Sequence, residues 1–239
     1  MSLFRFKQFA IAQNRCAMKV GTDGVLLGAW ANCKQATAIL DIGTGTGLIA
    51  LMLAQRNLLA TIDAIDINVA AAEQANENMQ ASPWTNRLTV FPISLEAFAK
   101  KNTKKKYDLI VSNPPFFINS LHSPKSVGRN QARHTDSLPF SDLLLYVNQL
   151  LSVNGKFCVI LPCQQAIQLE QMSAFYNLFC ETKLLIYPKA EKAANRCLMQ
   201  FSRQKTSDCQ LEKLVLRSST TNQYTTAYRK LTCNFHLMY

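Results

Sequence analysis

A short apolar run, Ala38–Ile42, enters a turn with glycine at every second position, and a second apolar stretch, Leu48–Arg56, leaves it. The turn reads Asp41-Ile42-Gly43-Thr44-Gly45-Thr46-Gly47. A strand that passes so abruptly into a helix needs glycine for the sharp reversal. The same glycines let backbone N–H groups approach a ligand closely. The spacing is not the dinucleotide fingerprint G-x-G-x-x-G/A, because counting from Gly43 the last position is Leu48. The Lys-Ser/Thr pair of a P-loop is also missing. An acidic residue leading the turn would repel pyrophosphate. Asp41 instead suits a cation, such as the amino group of a methionine moiety.

The rest of the chain repeats this strand–helix rhythm. Thr61–Ile67 reads as a second strand, and Asn68–Gln80 as a helix with Asn68 as its N-cap. Leu88–Phe91 and Tyr107–Ser112 follow as strands, the latter stopped by Pro114. Ser141–Leu151 reads as a helix ended by Asn154-Gly155, Lys156–Leu161 as a fifth strand and Gln164–Phe179 as a helix. Strands Lys183–Tyr187 and Arg196–Ser202 close the series. Repeated βα units predict an α/β fold, a mostly parallel sheet with helices on both faces. The last two strands are too close for a crossover helix and should form an antiparallel edge hairpin. Met1–Lys34, with a helix expected over Asp23–Trp30, precedes this core, and Phe117–Pro139 is a long irregular insertion. The division expected is one domain over 1–239, with an extension (1–34), a core (35–202) and a tail (203–239).

Asp66 ends the second strand, where an acidic side chain in a doubly wound fold meets ribose hydroxyls. Strand, D-x-G-x-G-x-G turn, helix, second strand and terminal Asp together resemble the class I S-adenosylmethionine-dependent methyltransferases over roughly Ala38 to Ser202. The resemblance implies a Rossmann-like, seven-stranded sheet and S-adenosylmethionine as cofactor. It places Asp41, Gly43, Gly45, Gly47 and Asp66 at the cofactor. After the third strand many such enzymes carry an Asp for the adenine amino group; this chain has Ser94. Ser94 or a neighbouring backbone group is expected to take that role.

The fourth strand ends in Asn113-Pro114-Pro115-Phe116. Ligands of an open parallel sheet lie beyond the carboxyl ends of its strands, so this motif should face the cofactor. The Asn113 amide oxygen and the Pro114 carbonyl can accept both hydrogens of an –NH₂ group, and consecutive prolines stiffen the turn. An exocyclic amine is a poor nucleophile, and gripping both hydrogens favours a pyramidal nitrogen. Phe116 can stack on a base. In isolation a Pro-Pro turn could merely end a strand. The motif alone leaves adenine, cytosine and a protein glutamine amide open as acceptors.

Charge narrows the partner. Lys and Arg number 26 against 15 Asp and Glu, a net charge of +11. Such a balance points to a polyanion, with nucleic acid first. Lys125, Arg129, Arg133, Lys189, Lys192 and Arg196 follow the fourth and sixth strands and are the expected phosphate contacts. The dense run Lys100–Lys106 precedes the fourth strand and should lie at the opposite end. No apolar run approaches the ~18–20 residues of a spanning helix, and the N-terminus lacks an export signal. The eight cysteines contain no CxxC pair. They read as reduced thiols of a cytoplasmic protein. The three histidines, His122, His134 and His236, have no ligand spacing, so no metal is expected.

Further segments carry a closer resemblance. Phe6-Lys7-Gln8-Phe9, Met18–Gly24, Leu27–Ala31, Ala132-Arg133-His134 and Arg196-Cys197-Leu198 resemble the bacterial tRNA1(Val) N6-adenosine methyltransferases. The likeness covers nearly the whole chain and weakens after Ser202. It implies N6-methylation of adenosine-37 in tRNA. A monomer is expected, though the sequence itself does not fix the oligomeric state. The likeness also implies that Lys19, Gly21, Thr22 and Asp23 hold the methionine end of the cofactor; Asp23 could equally be a helix cap. DNA adenine or a protein glutamine as acceptor, or a non-catalytic RNA chaperone, are the competing readings.

Overall fold

The apolar runs form strands because helices cover the sheet on both faces, which leaves little polar surface along each strand. The structure, a computed structural model, describes residues 3–115, 138–205 and 208–236. A small hairpin, β1 (Leu3–Arg5) and β2 (Ala10–Ala12), comes first, then α1 (Thr22–Trp30). The core follows as β3 (Ala38–Ile42), α2 (Leu48–Arg56), β4 (Thr61–Asp66), α3 (Val69–Gln80), β5 (Leu88–Pro92), α4 (Leu95–Lys101) and β6 (Tyr107–Ser112). Then come α5 (Phe140–Leu150), β7 (Leu151–Pro162), α6 (Cys163–Ser173), β8 (Phe179–Lys189), β9 (Arg196–Ser202), β10 (Gln210–Arg217) and α7 (Thr226–Thr232).

The main sheet has eight strands in the order β10-β8-β9-β7-β6-β3-β4-β5. All neighbours pair parallel except β9, which runs antiparallel to both β7 and β8. Two expectations need correction. There are eight strands rather than seven, and the β8–β9 hairpin is not at the edge. Residues 210–217 of the tail add β10 outside β8, with Gln210 opposite Thr182 and Arg217 opposite Lys189. The alternating polar residues of Gln-Leu-Glu-Lys carry no buried-strand signal because that half of β10 is exposed.

Asn154-Gly155 does not end a helix either. Both residues lie inside β7, where the register slips between Tyr107 and Leu109 of β6. A Cβ on Gly155 would stand 2.8 Å from the Tyr107 carbonyl oxygen, so glycine lets the bulge close on β6. Asn68 does cap α3 as expected, its Oδ1 accepting from Ala71 N at 3.0 Å.

One face of the sheet packs on α1, α2 and the β1–β2 hairpin, the other on α4, α5 and α6. The Leu27–Ala31 segment is explained by this packing. A Cβ on Gly28 would come 2.7 Å from Met52 Sδ, so the missing side chain lets α1 lie directly on α2.

Candidate active site

The carboxyl ends of the parallel strands gather the motifs at one end of the sheet. Between β3 and α2 the turn holds Gly43, Gly45 and Gly47 at φ of +70°, +56° and +81°. Residues with a Cβ adopt such angles at a cost of about 1–2 kcal/mol each. Nothing lies within 4 Å of a Cβ built on Gly43 or Gly45, so the turn leaves open space above it. Backbone bonds from Gly43 N and Thr44 N to Ile65 O, at 2.9 and 3.0 Å, pin the turn to β4. Asp66 Oδ2 accepts from Gly45 N at 2.8 Å and Oδ1 from Asn68 N at 2.9 Å. The Asp66 carboxylate therefore shapes the turn, with a further lone pair on each oxygen for hydroxyl donors.

Asp41 lies beneath the turn and is fully buried. Thr44 Oγ1 donates to its Oδ2 at 2.7 Å, while its Oδ1 has no hydrogen-bond partner. Burial pushes the carboxyl up to about 7; the Thr44 hydroxyl and Ala50 N–H oppose this, and the Asp66 charge adds to it. The sequence suggested a carboxylate suited to a cationic ligand. The structure shows one sealed under the turn, because the glycine loop folds back over it.

Asn113 leaves β6 next to the same turn, since Ile42 of β3 pairs with Ser112 of β6. Ser112 Oγ donates to Ile42 O at 3.0 Å and holds the two strand ends together. The Asn113 Oδ1 is buried and accepts no hydrogen bond. An unsatisfied buried acceptor costs about 1–3 kcal/mol and calls for a donor. Pro114 is buried and Pro115 exposed. Phe116, Lys125, Arg129 and Arg133, with His122 and His134, lie outside the described residues.

Ser94 turns out to be the N-cap of α4, its Oγ accepting from Ala97 N at 3.2 Å. The sequence reading had no helix there. Lys19, Gly21 and Thr22 are exposed just before and at the start of α1. Asp23 does not cap that helix, because Gly21 is the N-cap. Its carboxylate meets Arg196 Nε at 2.8 Å. Arg196, expected among the phosphate contacts, is thus already ion-paired.

β8 and β10 run in the same sense as β7, so Lys189 and Arg217 end their strands on the site's side of the sheet. Exposed Lys192 follows Lys189. Arg217 was missed from sequence; it stacks 4.1 Å from the Tyr224 ring centroid. The Lys100–Lys106 run lies at the far end, where Lys105 pairs with Asp63 and Lys100 with Glu96. Ile67 was missed too. It directly follows Asp66 and is 57% exposed, an apolar surface beside the open turn. Its only sequence signal was an apolar residue just past a strand's acidic end.

Comparisons with known proteins show the family and the fold. The family model described as methyltransferase small domain matches residues 20–135. A tRNA1(Val) (adenine(37)-N6)-methyltransferase of Bacteroides fragilis is 45% identical over 234 residues, 98% of this chain and 97% of that protein. One of the same name from Trichodesmium erythraeum is 46% identical over 239 residues, 99% of this chain and 98% of that protein. Among solved structures, a predicted O-methyltransferase of Agrobacterium tumefaciens superposes with a TM-score of 0.67 at 18% identity. That match covers 89% of this chain and 96% of the other. It shows the fold, that of the class I methyltransferases. Among the described residues no cluster of metal-binding side chains occurs, and no helix is long and apolar enough to cross a membrane.

Proposed function

Because the chain belongs to the tRNA1(Val) (adenine(37)-N6)-methyltransferase family, we propose that it methylates N6 of adenosine-37 in tRNA1(Val), with S-adenosylmethionine as donor. The observation that carries this reading is the buried, unpartnered Asn113 Oδ1 beside the open glycine turn. An acceptor without a donor, next to a cradle of bare backbone, fits a site that receives an –NH₂ group alongside a bound cofactor. When bound, the cofactor supplies an electrophilic methyl group on a sulfonium.

The chain's own groups then have defined tasks. Asn113 Oδ1 and the Pro114 carbonyl accept one amine hydrogen each and hold the nitrogen pyramidal, its lone pair aimed toward the turn. No strong base is needed first, since the nitrogen sheds its proton only after alkylation. Positioning and preorganised acceptors supply most of the acceleration. Gly43, Gly45 and Gly47 admit the cofactor to the backbone, and Asp66 offers its free lone pairs to ribose hydroxyls. Ile67 covers an apolar ring face. Asp41 favours a cation from below, through its unpartnered Oδ1. Lys19, Gly21 and Thr22 border the methionine end. Lys189 and Lys192, with Lys125, Arg129 and Arg133 from the sequence reading, receive phosphates, and Arg217 joins them. Phe116 stacks on the target base.

A base in an anticodon loop is already unpaired, so presenting it costs less than flipping one from a duplex. Action as a monomer, in the cytoplasm where tRNA is found, is part of the same proposal. The test is transfer of a labelled methyl group to bulk tRNA, DNA and protein, followed by mass spectrometry of nucleosides and of the tRNA1(Val) fragment. N6-methyladenosine at position 37 is the expected product. Label appearing only in DNA or in glutamine would overturn the acceptor, and no label at all the activity.

A further inference from the structure

Residues 13–22, between β2 and α1, have no regular secondary structure until Thr22 and are largely exposed, yet several bonds fasten the segment across one end of the sheet. At its start the buried Asn78 of α3 brackets Ala12, accepting from Ala12 N and donating to Ala12 O, both at 2.9 Å. The same Asn78 Nδ2 donates to Thr46 O of the glycine turn at 2.8 Å. Midway, Gln13 Oε1 accepts from Val20 N at 2.8 Å and folds the segment on itself. Arg15 reaches Glu77 of α3 at 3.0 Å. Burial holds the Cys16 thiol up in pKa, and the charge of Asp66 adds to this. The segment thus runs from the end of β2, tied through Asn78 to the glycine turn, to α1, whose start packs on the start of α2: a Cβ on Gly24 would meet Leu48 Cδ2 at 3.0 Å.

Its far end is held by the packing of Val20 and α1 on the core and by an ion pair. Gly21 caps α1 without a side-chain bond, and Val25 N reaches Gly21 O only at 3.3 Å. Asp23 in the first turn instead grips Arg196, 173 residues away, at the first residue of β9. Arg196 is opposite Pro162, the last residue of β7, so its position is set by the rigid sheet. The two side chains are 22% and 31% exposed, sheltered enough for the pair to resist full screening.

We propose that Arg196 is a positioning residue for the cofactor: its ion pair with Asp23 holds the 13–22 strap closed over the cofactor end of the sheet. The inference rests on the cofactor site proposed above. It also removes Arg196 from the RNA contacts. In a strap that opens and closes, apparent cofactor affinity scales with the closed fraction, so losing the tie weakens binding without altering any contact to the ligand.

The test is calorimetric titration of S-adenosylmethionine into the full chain, wild type, Arg196→Gln, Asp23→Asn and the double variant. Arg196→Gln should weaken binding roughly fivefold, the population change that one partly screened charged hydrogen bond supports. The double variant should be no weaker than the weaker single variant, because both remove one tie. Amide hydrogen exchange over 13–22 should rise in cofactor-free Arg196→Gln, and Arg196→Lys, which keeps the charge, should recover most of the affinity. The salt dependence of tRNA binding should match wild type. Additive losses in the double variant, unchanged cofactor affinity in Arg196→Gln, or a flatter salt dependence for tRNA would each overturn the proposal. A wild-type chain that binds the cofactor but methylates no tRNA removes the acceptor reading and leaves this one standing.

Discussion

Asp41 offers the sharpest measurable consequence of the site's electrostatics. Its carboxyl is fully buried, one oxygen has no partner, and desolvation by burial lifts it from an ordinary 3.8 to about 7. Between those values the folded chain holds a proton that the unfolded chain has lost. The unfolded state therefore binds fewer protons there, and stability falls as pH rises. At about 1.4 kcal/mol per pH unit, the window from 3.8 to about 7 corresponds to about 4 kcal/mol. The contribution is complete below the unfolded value and gone above the folded one.

Asp41→Asn keeps the shape and removes the titration. Its amide would keep one oxygen for Thr44 and put an N–H₂ where Oδ1 now lacks a partner, a fixed penalty of about 1–3 kcal/mol. The unfolding free energy of wild type minus that of the variant should then fall by about 4 kcal/mol across this range, from positive to negative. Urea unfolding followed by circular dichroism, at intervals from about pH 4.5 to about pH 8.5, reads most of it. Taking the difference cancels every other titrating group. A gap that stays constant across this range would falsify the reasoning, since it would mean that Asp41 keeps an ordinary pKa. If a cofactor cation does settle above Oδ1, binding near pH 7 should also release a proton. Calorimetry in buffers of different ionisation enthalpy would show it.

Asn113→Ala should lower kcat by roughly 10² or more, as expected for one preorganised contact, with cofactor affinity retained. Because Oδ1 has no partner in the fold, thermal stability should not drop; a large loss of Tm with unaltered turnover would make Asn113 structural. Gly28→Val puts atoms where Met52 Sδ would be 2.7 Å from the new Cβ. A loss of about 1–3 kcal/mol follows, seen as a Tm lowered by roughly 2–12 °C, and an unchanged Tm would show that α1 and α2 are free to separate. Neutralising Lys189 and Lys192 should weaken tRNA binding and flatten its salt dependence in filter binding. The same change at the exposed far-end pair Lys101 and Lys104 should do less, and the reverse ranking would put the RNA on the other end of the sheet.

Local chemistry made much of this protein legible in advance. The strand–turn–helix of 38–56 follows from glycine spacing, the start of α3 from the reach of one Asn side chain, and the facing of Asn113 and the glycine turn from parallel strand order. Each depends on residues within a few positions of one another, or on a rule that fixes which end of a sheet is open. Long-range pairing settled the rest. Whether 210–217 is tail or strand depends on the free edge of β8, and whether Asn154-Gly155 ends a helix or bulges a strand depends on Tyr107, far back in the chain. The burial of Asp41 could not be read in advance because a motif shows spacing, whereas burial is decided by how the chain packs around the turn. Asp23 and Arg196 each looked ready for a ligand. Only the packing of α1 against the end of β9 brought them within 2.8 Å of each other. Such contacts take their free energy from elements that meet only after folding, so no local stretch of sequence carries them.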